Sequence, residues 1–482
     1  MADLSQTSPA AFNLEGGLVL NRSTFLMQPG EALQLENFEP DIQGGYRRIT
    51  GHTKFVNHIV PQTTASSEKV LMVSTFANKV LAARGEKIFS SASTELAIAI
   101  SSSTGMTGSG TITVDSTSGF SSSGTLQIES EIFTYTGVTS TTFTGVTRAT
   151  ASTTAAAHII NTIVSESWTE IDTGRTSAGK YNFERFNFDG NDKIIFVDGD
   201  NAPVVFNTSL SATDVSASSV AGSKFVAVYR NHMFYAGKST TPQELVFSVP
   251  FDEDDFTSGS GAGSIKVDDT IVGLKVFRDN LFIFCENRIF NLTGSSLSDF
   301  AIKPVTRNIG CINGDTIQEF AGDLIFLGPD GLRTVAATAR IGDVELGTIT
   351  RNVQSLFDEN IKDATLFDSV VIPDKTQYRI FFTKEGQDVS LTKGVVCVMK
   401  GQNFEFSEIR GLKPSCTDTF IEAGNVLVLH GDFEGYVHRQ EKGNTFDGTT
   451  IFAKYRSPDL GFGDTGIRKH MRRVIINYKP ES

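Results

Sequence analysis

One unit recurs along this chain and limits what it can fold into: a β-rich apolar run, a turn of Gly, Asn or Asp, and a second buried run. It is plainest at residues 275–294, KVFRDNLFIFCENRIFNLTG, where the runs 281–284 and 288–290 flank a polar turn and an Arg-Asp-Asn turn stands in front. Residues 226–237 (VAVYRNHMFYAG), 317–335 (IQEFAGDLIFLGPDGLRTV) and 420–438 (FIEAGNVLVLHGDFEGYVH) repeat the design. Turn residues of this kind supply positive φ or preset hairpin geometry. The central runs start near Leu71, Ile194, Met233, Leu281, Leu324, Tyr378 and Val426. One stretch of different composition aside, successive starts lie roughly 40 to 55 residues apart, close to the period of β-propeller blades. A single blade cannot bury both faces of its sheet, whereas a closed ring of blades buries them all. The expected fold is therefore all-β, a propeller-like ring of about six or seven blades. A pair of β-sandwiches or a set of irregular β-domains is the alternative.

Composition agrees with strands joined by tight turns: 37 Phe and 44 Gly accompany a single Trp in 482 residues. The 20% charged content and mean hydropathy of −0.08 are those of an ordinary soluble chain. A net charge of −13 argues against a protein that grips nucleic acid through its phosphates. An acidic wall that surrounds DNA without binding it stays open. Cys285, Cys311, Cys397 and Cys416 show no C-x-x-C spacing and are read as buried free thiols. Residues 1–12 lack the basic start and apolar core of a signal peptide. No run approaches the ~18 apolar residues needed to cross a bilayer. The expectation is a chain made in a cytoplasm, with no membrane insertion.

Composition shifts at residues 93–164, rich in Ser, Thr, Gly and Ala, with Arg148 the only Lys or Arg. Low complexity alone is compatible with disorder. The β-patterned runs 111–114, 125–128 and 131–135 favour a small inserted β-module. The chain then divides into an N-terminal arm with first strands (1–60), a propeller (61–92 and 166–450), the insert (93–165) and basic C-terminal strands (451–482). One helix is predicted at 350–367, where Val353, Leu356, Phe357 and Ile361 fall at helical spacing behind Thr350 as N-cap.

No catalytic residue, metal ligand set or cofactor motif stands out. The glycine-rich 258–264 (SGSGAGS) lacks the Gly-Lys-Ser/Thr of a phosphate loop and precedes a strand. His430, Asp432 and His438 match no zinc spacing and read as polar residues at a blade turn. Asp189, Asp192, Asp198 and Asp200 lack a calcium-loop spacing and read as hairpin turns. The acidic run 251–255 reads as a solvated loop. Glu129 and Glu131, on one face of one strand, have the residue types of a glycosidase pair, yet no aromatic platform accompanies them and one of them is expected to pair with Arg148. The charge asymmetry lies in the C-terminal segment, with seven basic residues against three acids. Arg468, Lys469, Arg472 and Arg473, together with Arg47 and Arg48, are the candidates for a protein interface or a DNA-facing surface.

Several stretches resemble a known family. Gly16-Gly17, Pro29-Gly30-Glu31-Ala32, Leu35-Glu36-Asn37-Phe38 and Gly44-Gly45-Tyr46-Arg47-Arg48 ahead of Gly51 resemble the N-terminus of tail nozzle proteins of short-tailed bacteriophages, which include hub proteins described as packaged-DNA stabilisation factors. The string TITVDSTSGF…GTLQIESEIFTYTGV…TGVTRA resembles a module found in phage tail proteins, and the helix region with Ile349-Thr350-Arg351-Asn352-Val353-Gln354 resembles the nozzle family again. The passage from Tyr455 to Tyr478 looks like the start of a further β-domain of longer relatives, a domain not expected here. The resemblance implies a non-enzymatic virion structural protein, assembled in the host cytoplasm and located in the tail. Six copies would ring the axis below portal and adaptor, extend the DNA channel, retain the packaged genome and open for ejection. Implied partners are further copies of the chain, adaptor or head-to-tail connector proteins, tail fibre or tip proteins, and genomic DNA passing without sequence-specific contact. The competing expectation is a tail component that binds or degrades host glycan on a propeller face.

Overall fold

The computed structural model describes residues 11–62, 68–176, 179–335, 348–384, 392–401, 403–422, 425–461 and 473–480. Seven antiparallel sheets follow one another along the chain as the blades of a β-propeller. Blade 1 holds Met72–Phe76, Lys79–Arg84, Lys87–Ser91 and Thr169–Asp172. Blade 2 holds Asn182–Phe188, Asn191–Val197, Val204–Asn207 and Ala212–Asp214. Blade 3 runs from Phe225–Tyr229 through His232–Ala236 and Glu244–Phe247 to Gly263–Lys266, and blade 4 from Ile271–Phe277 through Asn280–Cys285 and Ile289–Thr293 to Ala301–Thr306. Blade 5 has three strands, Gln318–Phe320, Asp323–Gly328 and Gly331–Thr334. Blade 6 is built on Leu366–Ile372, Gln377–Thr383, Lys393–Lys400 and Asn403–Arg410, and blade 7 on Cys416–Glu422, Asn425–Gly431 and Val437–Gln440.

Local chemistry explains the repetition. In blades 1 to 5 the first two strands are joined by a two-residue turn with both φ positive: Ala77-Asn78, Asp189-Gly190, Arg230-Asn231, Arg278-Asp279 and Ala321-Gly322. Such turns match the right-handed twist of the strands they join. The seven central runs read from the sequence fall one to a blade. Six lie on the second strand, and the run at Leu71 leads into the innermost strand of blade 1.

Each pair of neighbouring blades shares one apolar core. Met72, Leu81 and Ile88 of blade 1 meet Ile194, Phe196 and Phe206 of blade 2. Phe234, Leu245 and Phe247 of blade 3 meet Leu281, Ile283 and Leu292 of blade 4. The last interface brings Val428 of blade 7 against Val370, Phe381 and Val396 of blade 6. The ring closes where Cys416, Leu429 and Val437 of blade 7 pack on Val73, Val80 and Phe89 of blade 1.

The N-terminal segment is part of this ring, not an arm beside it. Gln34–Glu36 adds to blade 6 in parallel with Asn403–Arg410, and Lys454–Arg456 adds outside it. His52–Lys54 is the fourth strand of blade 7, antiparallel to Val437–Gln440. Chain ends thus meet across the ring, and the boundary expected at residue 60 dissolves. Arg84 fastens the joint by donating to the carbonyls of Glu68, Val60 and Glu434 at 2.8, 2.6 and 3.2 Å. Gly435 (φ 100°) lies so close that a side chain there would strike this guanidinium.

The insert is a seven-stranded sheet between Ser93–Glu95 and Ile163–Glu166, with a core of its own from Leu96 to Val164. The helix is shorter than its pattern suggests. A 3₁₀ turn, Arg351–Val353, leads into Gln354–Asp363, and strand Leu366–Ile372 takes the remainder. Thr350 precedes the 3₁₀ turn with its backbone near the bridge region, at φ −86°, ψ 12°, and makes no side-chain cap. No described helix is long and apolar enough to cross a membrane.

Candidate functional site

The propeller axis is bridged. Lys180, just ahead of the innermost strand of blade 2, pairs with Asp368 on the innermost strand of blade 6 and lies 3.6 Å from Asp315, ahead of blade 5. Burial pulls the Lys180 ammonium down, but Asp315 and Asp368 outweigh it and raise its pKa, so it stays charged. Arg185 of blade 2 reaches Asp418 of blade 7 at 2.8 Å, Ser74 Oγ at 2.9 Å and the Thr75 carbonyl of blade 1 at 3.1 Å. These contacts cross the space that an open axial channel would occupy.

A second charged cluster joins the N-terminal segment to blades 6 and 7. Fully buried Glu39 accepts from Lys375 at 2.7 Å, Gln377 at 2.9 Å and Arg379 at 3.2 Å, and Arg379 and Lys375 also pair with Glu441. Burial pushes the Glu39 carboxyl up, and Lys375 and Arg379 more than offset it, holding it at about 2. Arg47, read from the sequence as a candidate interface residue, also belongs here: its Nε and Nη2 donate to Glu39 Oε1 at 2.9 and 2.6 Å, with half of its side chain still exposed. Arg48 is half-buried on Tyr46–Arg48. Arg473 is exposed. Arg468, Lys469 and Arg472 lie outside the described residues. The structure therefore brings Arg47 into a structural ion network and does not join it to Arg473.

The carboxylate pair of the insert is organised differently from the sequence expectation. Glu131 opens strand Glu131–Tyr135, but Glu129 sits in the preceding turn at φ 53°. Glu131 is sealed: Arg148 donates Nε and Nη2 to its two oxygens at 2.8 and 2.7 Å, and the Ala149 and Ala156 N–H groups add 3.1 and 2.9 Å bonds. His158 bridges the two carboxylates, Nε2 to Glu131 at 2.9 Å and Nδ1 to Glu129 at 2.8 Å. Burial raises the Glu131 pKa, and the bonds from Arg148, Ala156 and His158 overcome that and hold it at about 2. A carboxylate so held cannot serve as a general acid at neutral pH. The expected pairing of one glutamate with Arg148 is present.

The other sequence candidates resolve into turns. Asp198 accepts from the N–H groups of Asp200 and Asn201 at 3.0 and 2.8 Å, and Asp252 from those of Asp254 and Asp255 at 3.0 and 3.2 Å. Residues 258–260 form a 3₁₀ turn before strand Gly263–Lys266. All four cysteines are buried and free. Two clefts on blade 2, of about 190 and 420 Å³, are lined by side chains such as Lys193, Asn207 and Asp192, without an aromatic among them.

Sequence reasoning missed one constellation. His430 and His438 are direct cross-strand partners in blade 7, and His52 lies opposite Gln440, two residues beyond His438 on the same face. One ring nitrogen of each lies within 4.8 Å of the other two, and all three residues are buried. Local spacing could not reveal this, because the third histidine comes from the other end of the chain.

No family model matches this chain, and no curated protein does. Solved structures similar to it include the extracellular domain of the hybrid two-component system BT4673 from B. thetaiotaomicron, at 7% identity and TM-score 0.41, over 81% of this chain and 39% of that one. Chaetomium thermophilum Raptor is similar at 9% identity and TM-score 0.36, over 74% of this chain and 29% of that one. The N-terminal domain of Nup159 is similar at 11% and 0.31, over 51% and 85%. The propeller assignment rests on the strand pairing described above, not on these distant likenesses.

Proposed function

We propose that this chain is the repeating subunit of a phage tail nozzle, a structural ring that extends the DNA channel below portal and adaptor, retains the packaged genome and lets it pass on ejection. One observation carries the reading: stretches that resemble the nozzle family, far apart in sequence, meet in the fold. The Gly17 N–H donates to Tyr46 Oη at 3.0 Å, and the Tyr46 hydroxyl donates to the Gly30 carbonyl at 2.7 Å. Val19 N–H donates to Ala32 O and Leu20 N–H to Asn352 O, at 3.0 and 2.7 Å. The Gly-Gly start, the Pro-Gly-Glu-Ala turn, the Gly-Gly-Tyr-Arg-Arg strand and the Thr-Arg-Asn-Val turn are thus one unit.

With the propeller's own axis bridged by Lys180 and Asp368, the DNA passage in this reading runs between copies of the chain, as a hexameric ring requires. Exposed Phe25, Leu26, Phe452 and the run 474–476 supply apolar surface for neighbouring subunits or connector proteins. The net charge of −13 suits a wall along which DNA slides without sticking. Against the glycan-degrading alternative stand the sealed Glu131 and the lack of aromatics in the blade 2 clefts.

Electron microscopy of phage particles from the source culture, labelled with antibody to this chain, tests the proposal. Label at the tail below the portal vertex is expected. Unlabelled particles with antigen left in the soluble lysate would overturn the reading, and release of reducing ends from host polysaccharide by the purified chain would replace it with the glycan-degrading one.

A further inference from the structure

We infer that His52, His430 and His438 form a binding site for a borderline divalent cation of the zinc type, a metal clasp at the joint where the N-terminal strand closes the propeller. The three histidines stand on three adjacent strands of blade 7, on the face turned toward blade 6. His430 pairs directly across from His438, and His52 is set one diagonal step away on the closing strand His52–Lys54. The ring centroids of each pair are 4.8 to 4.9 Å apart, and Phe446 stacks on His52 at 5.3 Å.

Two features separate this cluster from histidines that merely fill a core. First, the Nδ1 atoms of all three are shut off from solvent and have no hydrogen-bond partner. Buried ring nitrogens are normally satisfied, and three unpartnered ones within a single histidine cluster point to a shared partner. Second, the cluster has the outer support that metal-binding histidines use. Asp432 Oδ2 lies 2.8 Å from His438 Nε2, while its Oδ1 accepts the N–H groups of Glu434, Gly435 and Tyr436 at 2.9, 2.7 and 2.8 Å. A carboxylate fixed in this way keeps the His438 proton on Nε2 and leaves Nδ1 as a bare lone pair, the tautomer a metal needs.

Imidazole donors of this kind suit Zn²⁺, whose Zn–N bonds of about 2.0–2.1 Å place tetrahedral donors about 3.4 Å apart. The nitrogens, within 4.8 Å of one another, reach that spacing when the rings close on the ion by about an ångström. Because His52 arrives with the N-terminal strand and the other two with the C-terminal strands, the ion would tie together the two ends of the chain. Metal binding of this sort adds its free energy to folding.

The test uses the full, untagged chain, freed of metal by dialysis against a chelator and then titrated with Zn²⁺ or Co²⁺. Expected are one equivalent of Zn²⁺ retained after desalting, a rise in melting temperature that chelator reverses, and visible d–d absorption of the Co²⁺ form. His430→Leu and His438→Leu remove all three signals. Asp432→Asn keeps the three histidines yet weakens Zn²⁺ binding about 10- to 100-fold, the loss typical of removing an outer-shell partner. Wild-type protein that retains no Zn²⁺ and melts at the same temperature with and without it would overturn the inference, whether or not the histidine variants fold.

Discussion

The insert and the ring bury apolar side chains by opposite strategies. Every residue of the insert core, from Leu96 through Phe133 and Phe143 to Val164, comes from the insert itself. Each core of the ring is assembled from two neighbours, so no blade owns the surface that stabilises it. The insert is moored to the ring mainly by polar contacts. Asn57 donates to the Gln127 and Ile163 carbonyls at 3.1 and 3.0 Å, Lys79 meets Glu166 at 3.2 Å, and Arg439 and Lys442 meet Glu95. Exposed or half-exposed polar links contribute little, whereas a shared apolar core makes neighbours stand or fall together. The module is therefore a passenger on the ring, while the N-terminal strands are structural members of it.

The largest effect separates the two by deletion. Removing residues 1–54 strips the closing strand from blade 7, the added strand from blade 6 and the Glu39 carboxylate from under Lys375 and Arg379. The expected result is loss of the folded ring, the whole of a stability that is typically about 5–15 kcal/mol. Excising 97–161 instead leaves Ser93–Glu95 paired with Ile163–Glu166 in register Ile163↔Glu95, so a short turn heals the gap. Soluble expression and a cooperative melt of the second variant, with aggregation of the first, is the predicted pattern. A soluble, folded chain without its first 54 residues would break the comparison.

A pair of cavities sharpens it. Phe196, at the interface of blades 1 and 2, and Phe143, in the insert core, are both fully buried and each meets another aromatic ring, Phe206 at 5.8 Å and Tyr135 at 4.9 Å. Truncating either to Ala costs about 3–5 kcal/mol. The chain carries one Trp, and Trp168 packs on the core between blades 7 and 1, with its Nε1 donating to the His58 carbonyl at 2.9 Å. Its fluorescence therefore follows the ring. Phe196→Ala is expected to lower the midpoint of the Trp168 transition, whereas Phe143→Ala is expected to leave it in place and add an earlier step visible by calorimetry. Equal shifts of the Trp168 midpoint in both variants would make insert and ring one cooperative unit.

What could be read beforehand follows the same division between local and distant. The blades were legible because each is announced locally, by turns such as Arg278-Asp279 and Arg230-Asn231 and by apolar runs on strands that pair with their sequence neighbours. The insert is marked by its shift in composition, and its sheet is framed by Ser93–Glu95 and Ile163–Glu166. Pairings between the N-terminal segment and the last blades carry no local signal: Gln34–Glu36 on blade 6 and His52–Lys54 on blade 7. The histidine cluster failed to register for that reason, since HGDFEGYVH contains two of its members and the third arrives with the closing strand. The helix was over-read at both ends, because Leu366 and Phe367 continue its apolar pattern but are claimed by the innermost strand of blade 6.

The smallest of the three effects uses two carboxylates as pH probes, one in each region. Glu39 in the ring and Glu131 in the insert both fall from an ordinary 4.5 to about 2 in the fold. A carboxyl lowered by folding contributes stability that is fully present above pH 4.5 and lost as pH falls toward 2. For Glu39 this amounts to about 3 kcal/mol at neutral pH. Glu39→Gln should therefore lower the Trp168 midpoint at pH 7 and flatten its decline between pH 4.5 and 2. Glu131→Gln should leave the Trp168 curve unaltered at every pH while lowering the separate insert step, whose acid sensitivity it removes. An acid limb of the Trp168 transition that responds to Glu131 and not to Glu39 would reverse the assignment of passenger and frame. The ring and the module would then share a buried electrostatic link that the polar moorings at Asn57 and Glu95 do not supply.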